Sequence, residues 1–79
     1  MKAETLVPGM LTRLRVEKGW SVERAADEVG VSLTLWRQFE AGTNWPPRKP
    51  NLLALAFVFD LAHASIAPLF VLRSSIEAP

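Results

Sequence analysis

The chain contains no cysteine and a single histidine, which removes several kinds of chemistry at once. Without thiols there is no disulfide, no thiolate metal site and no cysteine nucleophile, and His63 alone cannot assemble a zinc site. Glycine is sparse, four in 79 residues, and none of it forms a phosphate-cradling loop. The carboxylates are scattered among basic residues rather than paired. An enzyme, a metal and a cofactor are therefore not expected. Excess charge is lacking too: nine basic residues face eight acidic ones, a formal net charge of +1. No polycationic segment exists to hold nucleic acid by bulk charge, so any such contact must come from local placement. The opening MKAETLVPGM lacks the continuous apolar stretch of a secretory signal, and the cytoplasm is the expected compartment.

At this length one domain spanning residues 1–79 is expected, with a core over about 8–72 and a tail at 73–79. Folding removes only about 60% of the surface of so short a chain from water, so stability is marginal and help from a partner chain is reasonable. One segment is long in apolar residues. LLALAFVFDLAHASIAPLFVL, residues 52–72, has the length of a membrane span. Against that reading, Asp60 would cost about 2.5 to 3.5 kcal/mol at mid-span and Pro68 interrupts the helix, so no membrane association is expected.

Helical signals cover most of the chain. Pro8 suits a first helical position, and apolar residues at 7, 10, 11 and 14 recur at helical steps until Gly19, giving a helix over 8–18. Ser21 caps a short second helix that Gly30 ends, and Ser32 caps a third after only Gly30 and Val31. Trp36 and Phe39 fall on its inner face and Gly42 stops it. Pro46, Pro47 and Pro50 make GTNWPPRKP an extended loop. Asn51 is expected to cap a fourth helix reaching about His63, and Ser65 a fifth over 66–72 with Pro68 in its first turn, leaving SSIEAP as a loose tail. No strand-like alternation and no internal repeat is present. The expected fold is all-α, a compact body of five helices with helices two and three in a tight turn.

LTRLRVEKGWSVERAADEVGVSLTLWRQFEAG and PNLLALAFVFDLAHASIAPLF together resemble the phage-repressor-like (Xre or Cro-like) helix-turn-helix family. The resemblance rests on Arg15 before Gly19, Ser21 opening helix two, Ala26, the Gly30-Val31-Ser32 turn, Glu40 before Gly42, and Pro50, Leu55, Val58, Ser65, Leu69 and Phe70 further on. Val22 stands where the family commonly has a phosphate-reaching glutamine, Leu33 where it has a polar residue, and the loop after helix three is longer. The resemblance implies a lambda-repressor-like domain that lays helix three in the major groove of double-stranded DNA, and an ion pair between Arg15 and Glu40 that ties helix one to the end of helix three.

On that reading Leu33, Thr34, Arg37 and Gln38 face the bases. Arg37 can make paired hydrogen bonds to guanine, Gln38 can pair with adenine, Thr34 can reach a base or phosphate, and Leu33 can pack on a thymine methyl. Ser21, Ser32, Asn44, Trp45, Arg48 and Lys49 would contact the DNA backbone, which positions rather than specifies. Two of these assignments have structural alternatives: Trp45 can cover the end of helix three as core, and Arg48 and Lys49 can simply keep a loop soluble.

Helix four carries two apolar stripes: Leu52, Leu55, Phe59 and Ala62 on one side, and Leu53, Phe57 and Leu61 on another. The second stripe, with Leu69, Val71, Leu72 and Ile76, is expected to form a homodimer interface; the alternative is packing under the long loop or helix one. The resemblance implies a transcriptional regulator, more often a repressor, acting as a homodimer on an inverted-repeat operator in the nucleoid. Short members of the family are typical of phages, integrated mobile elements and toxin-antitoxin pairs, so an antitoxin or adaptor that grips a toxin or another regulator through helices four and five is the rival reading.

Overall fold

A computed structural model describes residues 4–77, which form α1 (Pro8–Glu17), α2 (Val22–Val29), α3 (Leu33–Ala41), α4 (Lys49–Val58) and α5 (His63–Glu77) with no strand among the described residues. The all-helical expectation holds. Helix α3 packs on α1 and α2, while α4 packs on α2 and α5. One core joins Trp36 and Phe39 of α3 to Leu11, Ala25, Ala26, Val29, Leu52, Leu55, Phe59, Ile66 and Leu69.

The first three helices begin and end where local chemistry dictates. Ser21 Oγ accepts from Arg24 N at 3.1 Å and Ser32 Oγ from Leu35 N at 3.0 Å, so each hydroxyl satisfies one orphan donor of the first turn. Gly30 adopts φ 85°, which lets Val31 N reach back to Ala26 O at 3.0 Å and closes α2. That closure puts Ser32 at its cap position after a two-residue connector.

The fourth and fifth helices depart from the sequence expectation. Helix α4 begins at Lys49 with Arg48 as its N-cap, not at Asn51, because Pro50 fits the first turn where a missing amide hydrogen has no cost. It ends at Val58 rather than His63. Asp60 takes a left-handed φ of 53°, and Leu61 N bonds back to Ala56 O at 2.8 Å, the same closure that Gly30 gives α2. The early stop lets α5 start at His63, so Ser65 is an internal, buried residue rather than a cap. Pro68 lies inside α5, on its exposed side, and leaves only the carbonyl of the exposed Ala64 without a helical donor. The helix continues through Ser74 to Glu77, where a loose tail was expected; Ala78 and Pro79, the end of that tail, lie outside the described residues.

The apolar run is therefore two helices joined at a bend. No helix among the described residues is long and apolar enough to cross a membrane. The segment before α1 also has a role: Leu6 is fully buried and its amide donates to Ser65 O at 2.8 Å, pinning that residue to α5. Leu6 and Leu11 stand one residue before the N-cap and at the fourth helical position, the spacing of a hydrophobic staple.

Candidate nucleic-acid interface

The α2–α3 turn sets which side of α3 faces inward. Trp36 and Phe39 are buried, and Phe39 meets the ring of Trp45 edge-on at 6.5 Å between centroids. Trp45 is thus half-buried against the end of α3, packed on the core with part of its ring still open. The same side carries a polar bracket. Arg15 Nε donates to Glu40 Oε1 at 3.0 Å, Trp36 Nε1 donates to Glu40 Oε2 at 2.8 Å, and Arg15 Nη1 donates to Trp20 O at 3.0 Å. Every strong hydrogen-bonding atom of the Glu40 carboxylate has a donor, so the charge is tolerated close to the core. The bracket joins α1, the α1–α2 connection and the end of α3, and fixes the rotation of α3 about its axis.

With that rotation fixed, the opposite face is determined. Thr34 and Arg37 are exposed, while Leu33 and Gln38 are half-buried beside them. The one acidic residue of α3 is Glu40, and it is turned inward, so the outward face presents no carboxylate. Gln38 is held from behind: Asn44 Nδ2 donates to its Oε1 at 3.3 Å. Gly42 at φ 77° makes this possible by turning the chain so that Thr43 N bonds back to Gln38 O at 3.1 Å, which carries Asn44 alongside α3.

The residues assigned to the DNA backbone flank this face in two ways. Ser21 and Ser32 use an Oγ lone pair for capping, which leaves each hydroxyl hydrogen able to donate outward. Arg48 and Lys49 are both exposed; Arg48 sits at the N-cap of α4 and Lys49 in its first turn rather than within a loop. A groove of about 360 Å³ runs between α3 and the start of α4, and Asn44, Arg48 and Asn51 all line it. By sequence alone Asn51 is a cap candidate. Its amide instead adds a hydrogen-bonding group to the groove, a role that only the earlier start of α4 reveals.

The second apolar stripe is open to solvent. Leu53 is half exposed and Phe57 is 88% exposed, so neither packs under the loop or α1. Val71, Leu72 and Ile76 are also exposed, and Leu61 is half-buried against the core. Leu69 requires correction. It is 2% exposed and belongs to the core, so it is unavailable to any interface. Ile76 lies two turns further along the same stripe of α5 and is 59% exposed, so the apolar stripe outruns the body that covers it.

Residues 9–69 match the family described as helix-turn-helix domain. The chain is similar to the HTH-type transcriptional regulator AnsR of Bacillus subtilis (strain 168), 39% identical over 51 residues that make up 65% of this chain and 40% of that protein. The chain thus spans less than half the length of the curated relative it matches. No solved structure matches it.

Proposed function

The chain belongs to the helix-turn-helix domain family, and from that membership we propose that it is a DNA-binding transcriptional regulator which lays α3 in the major groove. The single observation that carries the reading is the outward face of α3: Thr34 and Arg37 exposed, Leu33 and Gln38 beside them, and its one carboxylate turned inward. An α-helix fits the major groove, and an arginine there makes paired hydrogen bonds to guanine O6 and N7. The hydroxyls of Ser21 and Ser32, the amides of Asn44 and Asn51, and the cations Arg48 and Lys49 serve the phosphates on either side of the reading helix, which fixes register. Trp45 supports the end of α3, and the part of its ring left open serves the sugar-phosphate backbone.

The finer reading is a repressor that blocks polymerase by occupancy. Two copies pair through Leu53, Phe57, Val71, Leu72 and Ile76, and the pair spans operator half-sites about 34 Å apart as an inverted repeat. The similarity to a transcriptional regulator supports the regulatory role. A second reading draws on the exposure of Phe57: the same apolar surface would serve an antitoxin or adaptor that grips a different protein. Binding to duplex DNA distinguishes the two. For the regulator, affinity falls steeply with salt and Arg37→Ala loses the preference for a selected site over random duplex. An unchanged ratio of specific to non-specific binding in Arg37→Ala would take Arg37 out of the reading role, and affinity insensitive to salt would favour the adaptor.

A further inference from the structure

Asn44 and Gln38 form a pair whose chemistry bears on the base that is read. A glutamine amide is two-sided, with an oxygen that accepts and a nitrogen carrying two hydrogens that donate. Free to rotate, it can present both sides to adenine, accepting from N6 and donating to N7. Here it is not free. Asn44 Nδ2 donates to Gln38 Oε1 at 3.3 Å, and the backbone bond from Thr43 N to Gln38 O at 3.1 Å holds the two residues in that relation. Among the described residues no hydrogen bond engages Gln38 Nε2.

We propose that Asn44 is a positioning residue that sets the base preference of Gln38: by drawing Oε1 toward itself and engaging one of that oxygen's two lone pairs, it favours the two Nε2 hydrogens as the group offered to the DNA. A base pair under Gln38 must then supply acceptors in the major groove. Guanine does so with both N7 and O6, whereas adenine pairs one acceptor with an amino group, for which only the second lone pair of the oxygen held by Asn44 remains. The second hydrogen of Asn44 Nδ2 remains for a phosphate along the groove it shares with Arg48 and Asn51, so one side chain couples backbone contact to base choice. This inference rests on the proposed reading role of α3.

The test is selection of bound duplexes from a random pool by the full-length chain, with Gln38→Ala, Asn44→Ala and Asn44→Asp in parallel. Gln38→Ala locates the base pair under Gln38 as the one position where preference relaxes. At that position the unsubstituted chain favours guanine over adenine, and Asn44→Ala lowers the guanine-to-adenine ratio by about fivefold, the worth of one neutral hydrogen bond. The ratio cancels any phosphate contact that Asn44 loses, since that loss acts on all sequences alike. In Asn44→Asp the carboxylate accepts from Nε2 and turns Oε1 outward, which moves the preference toward adenine or cytosine, bases with an amino donor. Loss of packing alone would not invert a preference at one base pair. If Gln38→Ala relaxes one position while both Asn44 variants keep its guanine-to-adenine ratio, the positioning role is wrong and the reading role stands. If Gln38→Ala and Arg37→Ala both leave the selected sites unchanged, the reading role fails and this inference with it.

Discussion

Replacing Glu40 with alanine removes the centre of the bracket that holds α3, and its cost can be worked out from the contacts. The carboxylate accepts from two donors, the Arg15 guanidinium at 3.0 Å and the indole nitrogen of the fully buried Trp36 at 2.8 Å. Glu40→Ala leaves that indole N–H unsatisfied, worth about 1 to 3 kcal/mol. It also strands a guanidinium whose side chain is 17% exposed, although Arg15 keeps its bond to Trp20 O. Breaking a buried pair costs about 3 to 5 kcal/mol, and the partial exposure here places the sum near the lower end, about 3 kcal/mol. Arg15→Ala strands the carboxylate but leaves Trp36 satisfied, so its cost is smaller, about 2 kcal/mol. In a chain of this length about 3 kcal/mol lowers the melting temperature by about 12 °C or more. Thermal and urea unfolding followed by far-ultraviolet circular dichroism measure both variants, and Arg15→Ala combined with Glu40→Ala closes a double-mutant cycle. Because the double variant strands no charge, it should be less destabilised than the summed singles by about 1 to 2 kcal/mol. A Glu40→Ala cost below about 1 kcal/mol, or additive singles, would refute the reasoning that this bracket fixes the rotation of α3.

Arg48→Ala with Lys49→Ala should weaken binding to all duplexes alike and flatten the dependence of affinity on salt by about two units; a sequence-selective loss would show that one of them reads a base. Phe57→Glu, at the most exposed apolar side chain, should give a monomer in multi-angle light scattering without unfolding the chain. A dimer that persists would place the interface elsewhere. A Cβ built at Gly30 meets nothing within 4 Å, so Gly30→Ala costs backbone strain alone, about 1 kcal/mol. At Gly42 the same atom meets Pro8 Cγ at 3.3 Å, and Gly42→Ala should cost more in urea unfolding; the reverse order would contradict the close approach of α1 to the end of α3.

The parts of the fold that were legible in the residues are those set by local chemistry. Ser21, Gly30, Ser32 and Gly42 each decide a helix end within a few residues of themselves, and α1, α2 and α3 follow from them. The limits of α4 and α5 were not legible because they depend on less common choices. Asp60 adopts a conformation usually left to glycine, Pro50 sits in the first turn of α4 rather than in the loop before it, and Pro68 lies inside α5 beyond its first turn. Leu6 stands in a segment without periodicity, and its backbone bond to Ser65 of α5 is set by a contact that no local pattern announces. Within the candidate interface, residue spacing separated inward Trp36 and Phe39 from outward Thr34 and Arg37. It could not show the Asn44–Gln38 bond, which depends on the path of the chain past Gly42. Nor could spacing separate Leu69 from Ile76, which share a stripe of α5 and differ only in whether the body of the domain reaches that far.

The most direct test of the account is to map backbone amide shifts by nuclear magnetic resonance while duplex DNA is added to the full chain. With α3 in the major groove, the largest changes fall at Thr34, Arg37 and Gln38 on α3 and along Asn44, Arg48, Lys49 and Asn51 beside it. Changes confined to Leu53, Phe57, Val71, Leu72 and Ile76, or none at all at low salt, would contradict it.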